Sequence, residues 1–205
     1  MTGDGDAGRW NHNIHHHSLV LDAVPPACRW ALDVGCGDGR LARELAALVP
    51  DVTGIDLHLP SIEAARATPG PEVDYVHGDV LTHPFPQDSF DLVASIATLH
   101  HLDMAAGLRR MAELVRPGGV LVVVGLARTR LWSPPDLLRG VAGVLGDRWY
   151  QRSRGYWEHD APQVWPPSET YPSARRTARR TLPEVRYRRH LLFRYSLVWT
   201  RPTVA

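Results

Sequence analysis

An α/β domain built on a doubly wound, mostly parallel sheet is the fold class that the sequence predicts. Short apolar runs alternate with helical patterns from residue 30 to residue 126. Those runs are apolar on both faces, as strands buried under helices on each side must be. Two late runs, Arg186 to Leu192 and Tyr195 to Thr200, are parted only by Phe193-Arg194, which reads as a terminal antiparallel hairpin.

Each element has its own signal. Ser18 to Val24 reads as a short helix with Ser18 as N-cap and Pro25-Pro26 as the stop. Trp30 to Val34 is the first strand and runs into Gly35. Leu41, Leu45 and Leu48 recur at i, i+4, i+7, a helix face closed by Pro50. Val52 to Ile55 is the second strand, and Ser61 to Arg66 a short helix before Pro69-Gly70-Pro71. Val73 to Val76 and Phe90 to Ile96 are strands three and four. Leu108, Met111, Leu114 and Val115 mark a helix ended by Arg116-Pro117-Gly118-Gly119, and Val120 to Val124 is strand five. The pattern then breaks. Residues 128 to 172 are rich in Trp, Tyr and Pro. Arg175, Arg176, Arg179 and Arg180 fall at helical spacing, so one helix face is basic, most simply a solvated one.

Composition limits the chemistry. All 23 Lys+Arg cations among 205 residues are Arg. No phosphate-loop lysine, Schiff-base lysine or Tyr-x-x-x-Lys pair exists. A net charge of +1 gives no overall field for nucleic acid or membrane. Two cysteines, Cys28 and Cys36, point to a reducing, cytoplasmic compartment rather than a disulfide scaffold. The longest apolar run is too short to span a bilayer, and residues 1 to 8 lack the apolar core of a secretory signal. The chain reads as one domain over 1–205. Residues 1–17 are a flexible lead or flap, 31–126 a cofactor-binding core, 128–172 a substrate cover and 186–200 the hairpin.

Three acidic motifs follow three successive strands. Asp33 precedes the turn Gly35-Cys36-Gly37-Asp38-Gly39, whose glycines allow close backbone approach to a ligand. The G-x-G-x-G spacing differs from the dinucleotide G-x-G-x-x-G, and a carboxylate there suits a cationic group better than a pyrophosphate. Asp56 ends strand two, 19 residues past Gly37, where a carboxylate accepts ribose hydroxyls. Gly78-Asp79-Val80 follows strand three, where Asp79 can accept an adenine amino group and the next N–H can donate to a ring nitrogen. A bare structural turn, a helix N-cap and a turn aspartate are the respective alternatives.

At these residues the sequence resembles the class I S-adenosylmethionine-dependent methyltransferases, of the small-molecule type found in ubiquinone and menaquinone biosynthesis. The matching stretches are Ala31–Gly39, Gly54–Asp56, His77–Val80, Phe85–Val93, Leu99–His101 and Leu114–Gly119. The resemblance implies a Rossmann-like seven-stranded sheet of order 3-2-1-4-5-7-6 with helices on both faces. It implies S-adenosylmethionine as cofactor. Asp33, Gly35 and Gly37 would line its methionine end, Asp56 would bind the ribose, and Asp79 and Val80 the adenine. Cys36, Leu57, Gly78 and Ile96 complete the cofactor set. Enzymes that methylate base amino groups resemble one another in an Asn/Asp-Pro-Pro-Tyr motif after strand four. Ser95-Ile96-Ala97-Thr98 stands there instead, which argues against a nucleic-acid substrate.

Methyl transfer from a sulfonium is an in-line displacement, and a general base is needed only for some nucleophiles. His100 and His101 are the catalytic candidates, with packing as their alternative role. His15 to His17 read either as a solvated loop or as a flap, so His16 and His17 are substrate candidates together with Trp132, Trp149 and Trp157. No Cys/His spacing suggests a metal. The expected activity is transfer of a methyl group to a small organic acceptor. The alternatives are a non-catalytic cofactor-binding protein and a dinucleotide-dependent oxidoreductase.

Overall fold

The computed structural model describes residues 11–128, 167–190 and 194–203. Seven strands form one sheet: β1 (Trp30–Val34), β2 (Asp51–Asp56), β3 (Asp74–His77), β4 (Phe90–Ile96), β5 (Val115–Leu126), β6 (Arg186–Arg189) and β7 (Arg194–Thr200). Their order is β3-β2-β1-β4-β5-β7-β6. The first five are parallel, and β7 runs antiparallel to both β5 and β6. The predicted sheet and its terminal hairpin are therefore present.

Alternate residues of each strand feed two apolar layers. On one face Leu32, Val34, Val93, Leu121, Val123, Tyr195 and Leu197 pack under α4 (Met104–Leu114) and α5 (Tyr171–Thr181). On the other face Ala31, Ala94, Ile96, Val122 and Val124 pack under α1 (His17–Leu21), α2 (Arg40–Ala46) and α3 (Leu59–Ala67). Burial on both faces explains why the strands read as continuous apolar runs. The exposed face of α5 carries Arg175, Arg176, Arg179 and Arg180, while Tyr171, Ala174 and Ala178 are buried.

Four boundaries differ most from the sequence expectation, while α3 and strands β2 and β3 shift by one or two residues. The chain enters α1 through a 3₁₀ turn, Ile14–His16, and Asn11 Oδ1 accepts from the N–H groups of Asn13 and Ile14 at 2.9 Å. Ser18 is thus an exposed residue inside the helix, not its cap. Helix α2 stops at Ala46. The chain then bends back so that Val49 takes the buried position and Leu48 is 58% exposed. Val115 and Arg116–Gly119 belong to β5 rather than to a helix end. The N–H of Gly118 (φ +82°) donates to the Arg201 carbonyl, and the Arg201 N–H donates to the Gly119 carbonyl. Finally, Arg194 opens β7 instead of lying in the hairpin turn, and β6 ends at Arg189.

Candidate active site

All three acidic motifs fall at the carboxyl edge of neighbouring parallel strands. Asp33 sits on β1, level with Gly54 of β2 and Ala94 of β4. It is 2% exposed, and its Oδ2 has no hydrogen-bond partner. Burial, then the nearby carboxylates of Asp56 and Asp38, push its pKa up to about 8. A buried carboxyl left without a partner costs free energy, and a cationic ligand group placed beside it would remove that cost.

The glycine turn that follows is stitched to β2. The N–H groups of Gly35 and Cys36 both donate to the Ile55 carbonyl, and Gly37 N–H donates to Asp56 Oδ2 at 2.9 Å. Gly35, Gly37 and Gly39 all have positive φ. At Gly35 (φ +74°) a Cβ would collide with the Thr98 side chain, so the turn lies directly against the segment after β4. Asp56 also accepts from His58 N–H at 2.8 Å, closing the start of α3. The next residue, Leu57, is 70% exposed and leaves an apolar surface beside the carboxylate. After β3, Asp79 Oδ1 accepts from Leu81 N–H at 2.9 Å and Val80 is buried. Gly78 precedes them, its N–H on the Asp56 carbonyl. Cys36 and Cys28 are free and buried, and burial pushes both thiols up.

Beyond β4 the chain makes a sharp turn through Ala97, which has φ +56°. A 3₁₀ turn then carries Leu99–His101. The His100 and His101 rings lie 4.0 Å apart. His101 is exposed, whereas His100 Nδ1 is buried without a partner. Burial, His101 and Arg194 hold His100 down to about 4, so its ring is neutral at physiological pH.

Both N-terminal candidates are buried, which removes the solvated-loop reading for them. His17 Nδ1 bonds Glu44 Oε2 at 2.7 Å and ties α1 to α2. His16 is 5% exposed and its Nε2 has no partner. Trp132, Trp149 and Trp157 lie outside the described residues, as does most of the expected cover. Among the described residues no His/Cys/Asp/Glu group could hold a metal ion, and no helix is long and apolar enough to cross a membrane.

Several groups here carried no sequence signal. Arg110 of α4 donates to the carbonyls of Val80, His83 and Phe85 and so holds the loop after β3. Arg194 Nη2 donates to Asn13 Oδ1 at 2.9 Å across 181 positions. Neither spacing nor composition marks a contact of that kind.

A family described as a methyltransferase domain matches residues 32–123. An uncharacterised methyltransferase of Mycobacterium tuberculosis (strain ATCC 25618 / H37Rv) is 38% identical over 199 residues, 94% of this chain and 98% of that one. The chain belongs to the class I S-adenosylmethionine-dependent methyltransferases. A demethylmenaquinone methyltransferase of Roseiflexus castenholzii is 38% identical over 117 residues, covering 55% of this chain and 49% of that one. The fold is shared with an S-adenosylmethionine-dependent methyltransferase from Methanosarcina mazei, at TM-score 0.61 and 16% identity, over 91% of this chain and 98% of that one. A phosphoethanolamine N-methyltransferase from Haemonchus contortus gives TM-score 0.63 at 16% identity, over 92% of this chain and 53% of that one. The methyltransferase family thus displaces the dinucleotide-dependent oxidoreductase weighed with it.

Proposed function

We propose that this methyltransferase moves a methyl group from S-adenosylmethionine to a small organic acceptor by in-line displacement. The observation that carries this reading is Asp33, a buried carboxyl whose Oδ2 has no partner, two residues ahead of a three-glycine turn. The cofactor supplies a methyl group already activated on a sulfonium, so the protein's work is binding, orientation and exclusion of water. Asp33 receives the amino group of the methionine part, with Gly35, Cys36 and Gly37 allowing close approach. Asp56 takes the ribose hydroxyls, and Leu57 offers its exposed side chain to the adenine ring. Gly78, Asp79 and Val80 bound the adenine from the β3 side, and Ile96 closes the floor at β4.

The residues offered to the acceptor are His100, His101 and His16. His17 is spent on Glu44 and serves to fix the segment that carries His16. Two buried free thiols fit a cytoplasmic protein. The relatives' quinone acceptors support a small-molecule substrate class. The test is calorimetry with S-adenosylhomocysteine and NAD on the full chain, followed by methyl transfer to candidate acceptors. Micromolar binding of S-adenosylhomocysteine, with none of NAD, is expected. Binding of NAD alone would overturn the reading. Cofactor binding without transfer to any acceptor would favour a non-catalytic role.

A further inference from the structure

The loop after β3 is shaped from two sides. Asp79 organises it from within. Its Oδ1 accepts from Leu81 N–H at 2.9 Å, and its carbonyl accepts from Thr82 N–H at 3.1 Å and from His83 N–H at 2.7 Å. The turn folds back on the end of β3, where a Cβ at Gly78 would meet His83 Nδ1 at 3.3 Å. The His83 ring packs on Phe85 at 4.3 Å, and Phe85 meets Phe90 of β4 edge-on at 5.6 Å.

Arg110 braces the same loop from outside. Helix α4 is fixed on the sheet by Met104, Leu108 and Met111, all buried. From that helix Arg110 Nε donates to the Val80 carbonyl at 3.1 Å. Its Nη2 donates to the carbonyls of His83 at 2.8 Å and Phe85 at 3.2 Å. Glu113 Oε2 lies 3.7 Å from Nη1, and the arginine side chain is only 16% exposed. A helix arginine ordinarily keeps its guanidinium in water. This one is turned onto three carbonyls of one loop, an arrangement that suits a planar fork of donors better than an ammonium.

The contact with Val80 bears on the ligand. A peptide unit is planar, so holding the Val80 carbonyl fixes the peptide that follows and limits rotation at Val80 itself. None of the Arg110 contacts uses the Val80 N–H. In the proposed site that N–H donates to a purine ring nitrogen, while the Asp79 carboxylate accepts from the 6-amino group. A 6-oxo purine reverses both pairings. Its carbonyl oxygen would face the carboxylate, and its ring N–H would face the Val80 N–H. Such a site discriminates strongly only while the two protein groups keep their spacing.

We infer that Arg110 is a positioning residue for the adenine end of S-adenosylmethionine: by holding the Val80 carbonyl it sets the preference for a 6-amino over a 6-oxo purine. This rests on the methyltransferase reading and on its placement of adenine at Asp79 and Val80. The groups that meet the ligand belong to the turn itself, and the brace that aligns them comes from α4.

The test is calorimetry on the full chain with S-adenosylhomocysteine and S-inosylhomocysteine, the 6-oxo analogue. The unaltered chain is expected to prefer S-adenosylhomocysteine by about a hundredfold or more. Arg110→Gln is expected to weaken S-adenosylhomocysteine about tenfold and to change S-inosylhomocysteine by less than about twofold. Arg110→Lys is expected to recover part of the lost preference. A purely structural brace would weaken both ligands by the same factor, and that result overturns the inference, as does an unaltered preference in Arg110→Gln. Should Arg110→Gln fail to fold, Arg110→Lys decides: a severalfold drop in preference supports the inference and an unchanged preference overturns it. Failure of S-adenosylhomocysteine to bind the unaltered chain overturns the methyltransferase reading instead. Equal binding of the two ligands to that chain overturns the placement of adenine, and the inference with it; both results are seen before any variant is compared.

Discussion

The two halves of the sheet's carboxyl edge are built in opposite ways. On the β1–β2–β3 side each polar group comes from the residues that end a strand, and its partners are close in sequence or one strand away. Asp56 binds the N–H groups of Gly37 and His58, and Asp79 binds that of Leu81. On the β4–β5–β7 side the polar groups arrive from both ends of the chain, as in the contact between Asn13 and Arg194. The first half carries the residues proposed for the cofactor and is encoded locally. The second half carries the residues proposed for the acceptor and is encoded by long-range packing, so a change there is expected to alter substrate preference without disturbing the cofactor half.

The largest effect is expected at Asp56. Its carboxylate closes the glycine turn and is the proposed ribose acceptor, so Asp56→Ala removes both. Each hydrogen bond to a charged group is worth about 1.5–3 kcal/mol, so loss of two hydroxyl contacts weakens S-adenosylhomocysteine by a hundredfold or more in calorimetry. Unchanged affinity would break the division, since the local half would then not be the cofactor half.

Asp33→Asn sharpens it next, because two readouts must move in opposite directions. Cofactor affinity is expected to fall by roughly tenfold to a hundredfold, one lost charge-assisted contact. Stability without cofactor is expected to rise. The Asp33 pKa is raised in the folded state, so the unfolded chain releases its proton first. The native state loses stability as pH climbs from about 4 toward about 8. Asparagine removes that slope. Thermal unfolding at acid and at mildly alkaline pH measures it, and an identical pH slope in both proteins would refute the burial argument.

How much of this was legible in the sequence follows the same line. The strands, the glycine turn and the three aspartates were readable because each depends on a short pattern: an apolar run, a turn residue and a carboxylate at fixed spacing; strand order was implied by the family resemblance those patterns carry. The failures at Ser18, Leu48 and Val115 are boundary errors, where tertiary packing overrode a local signal. Asn11 caps the first turn because it is buried against the body, which no pattern within residues 11–24 encodes. Arg110 and Arg194 were invisible for a stronger reason. An arginine in a helix or at a strand start reads as solvated, and only assembly of the sheet turns these two inward.

On the acceptor side His100→Ala is expected to lower turnover about tenfold, while S-adenosylhomocysteine affinity changes less than twofold. That split follows from the position of His100 beyond β4 rather than on the β1–β3 side. Equal loss of both would mean that the turn Leu99–His101 supports the glycine loop through Thr98 and has no part in acceptor binding.

The smallest effect tests how the two halves are joined. Glu44 of α2 accepts from Arg40 Nε at 3.2 Å and bonds His17 Nδ1 at 2.7 Å. Burial raises its pKa, but the contacts with His17 and Arg40 outweigh burial and leave it below the usual carboxylate range. A depressed carboxylate stabilises the fold above its ordinary pKa, and that contribution is lost as pH falls through the lowered value. Glu44→Gln is therefore expected to cost about 1 kcal/mol at neutral pH, since a third of the side chain is exposed and solvent screens the pair. The deficit should shrink in acid. Because this contact fixes the segment carrying His16, the same variant should lower turnover severalfold and leave cofactor affinity unchanged. A matching loss of cofactor affinity would show that the N-terminal segment serves the cofactor half instead.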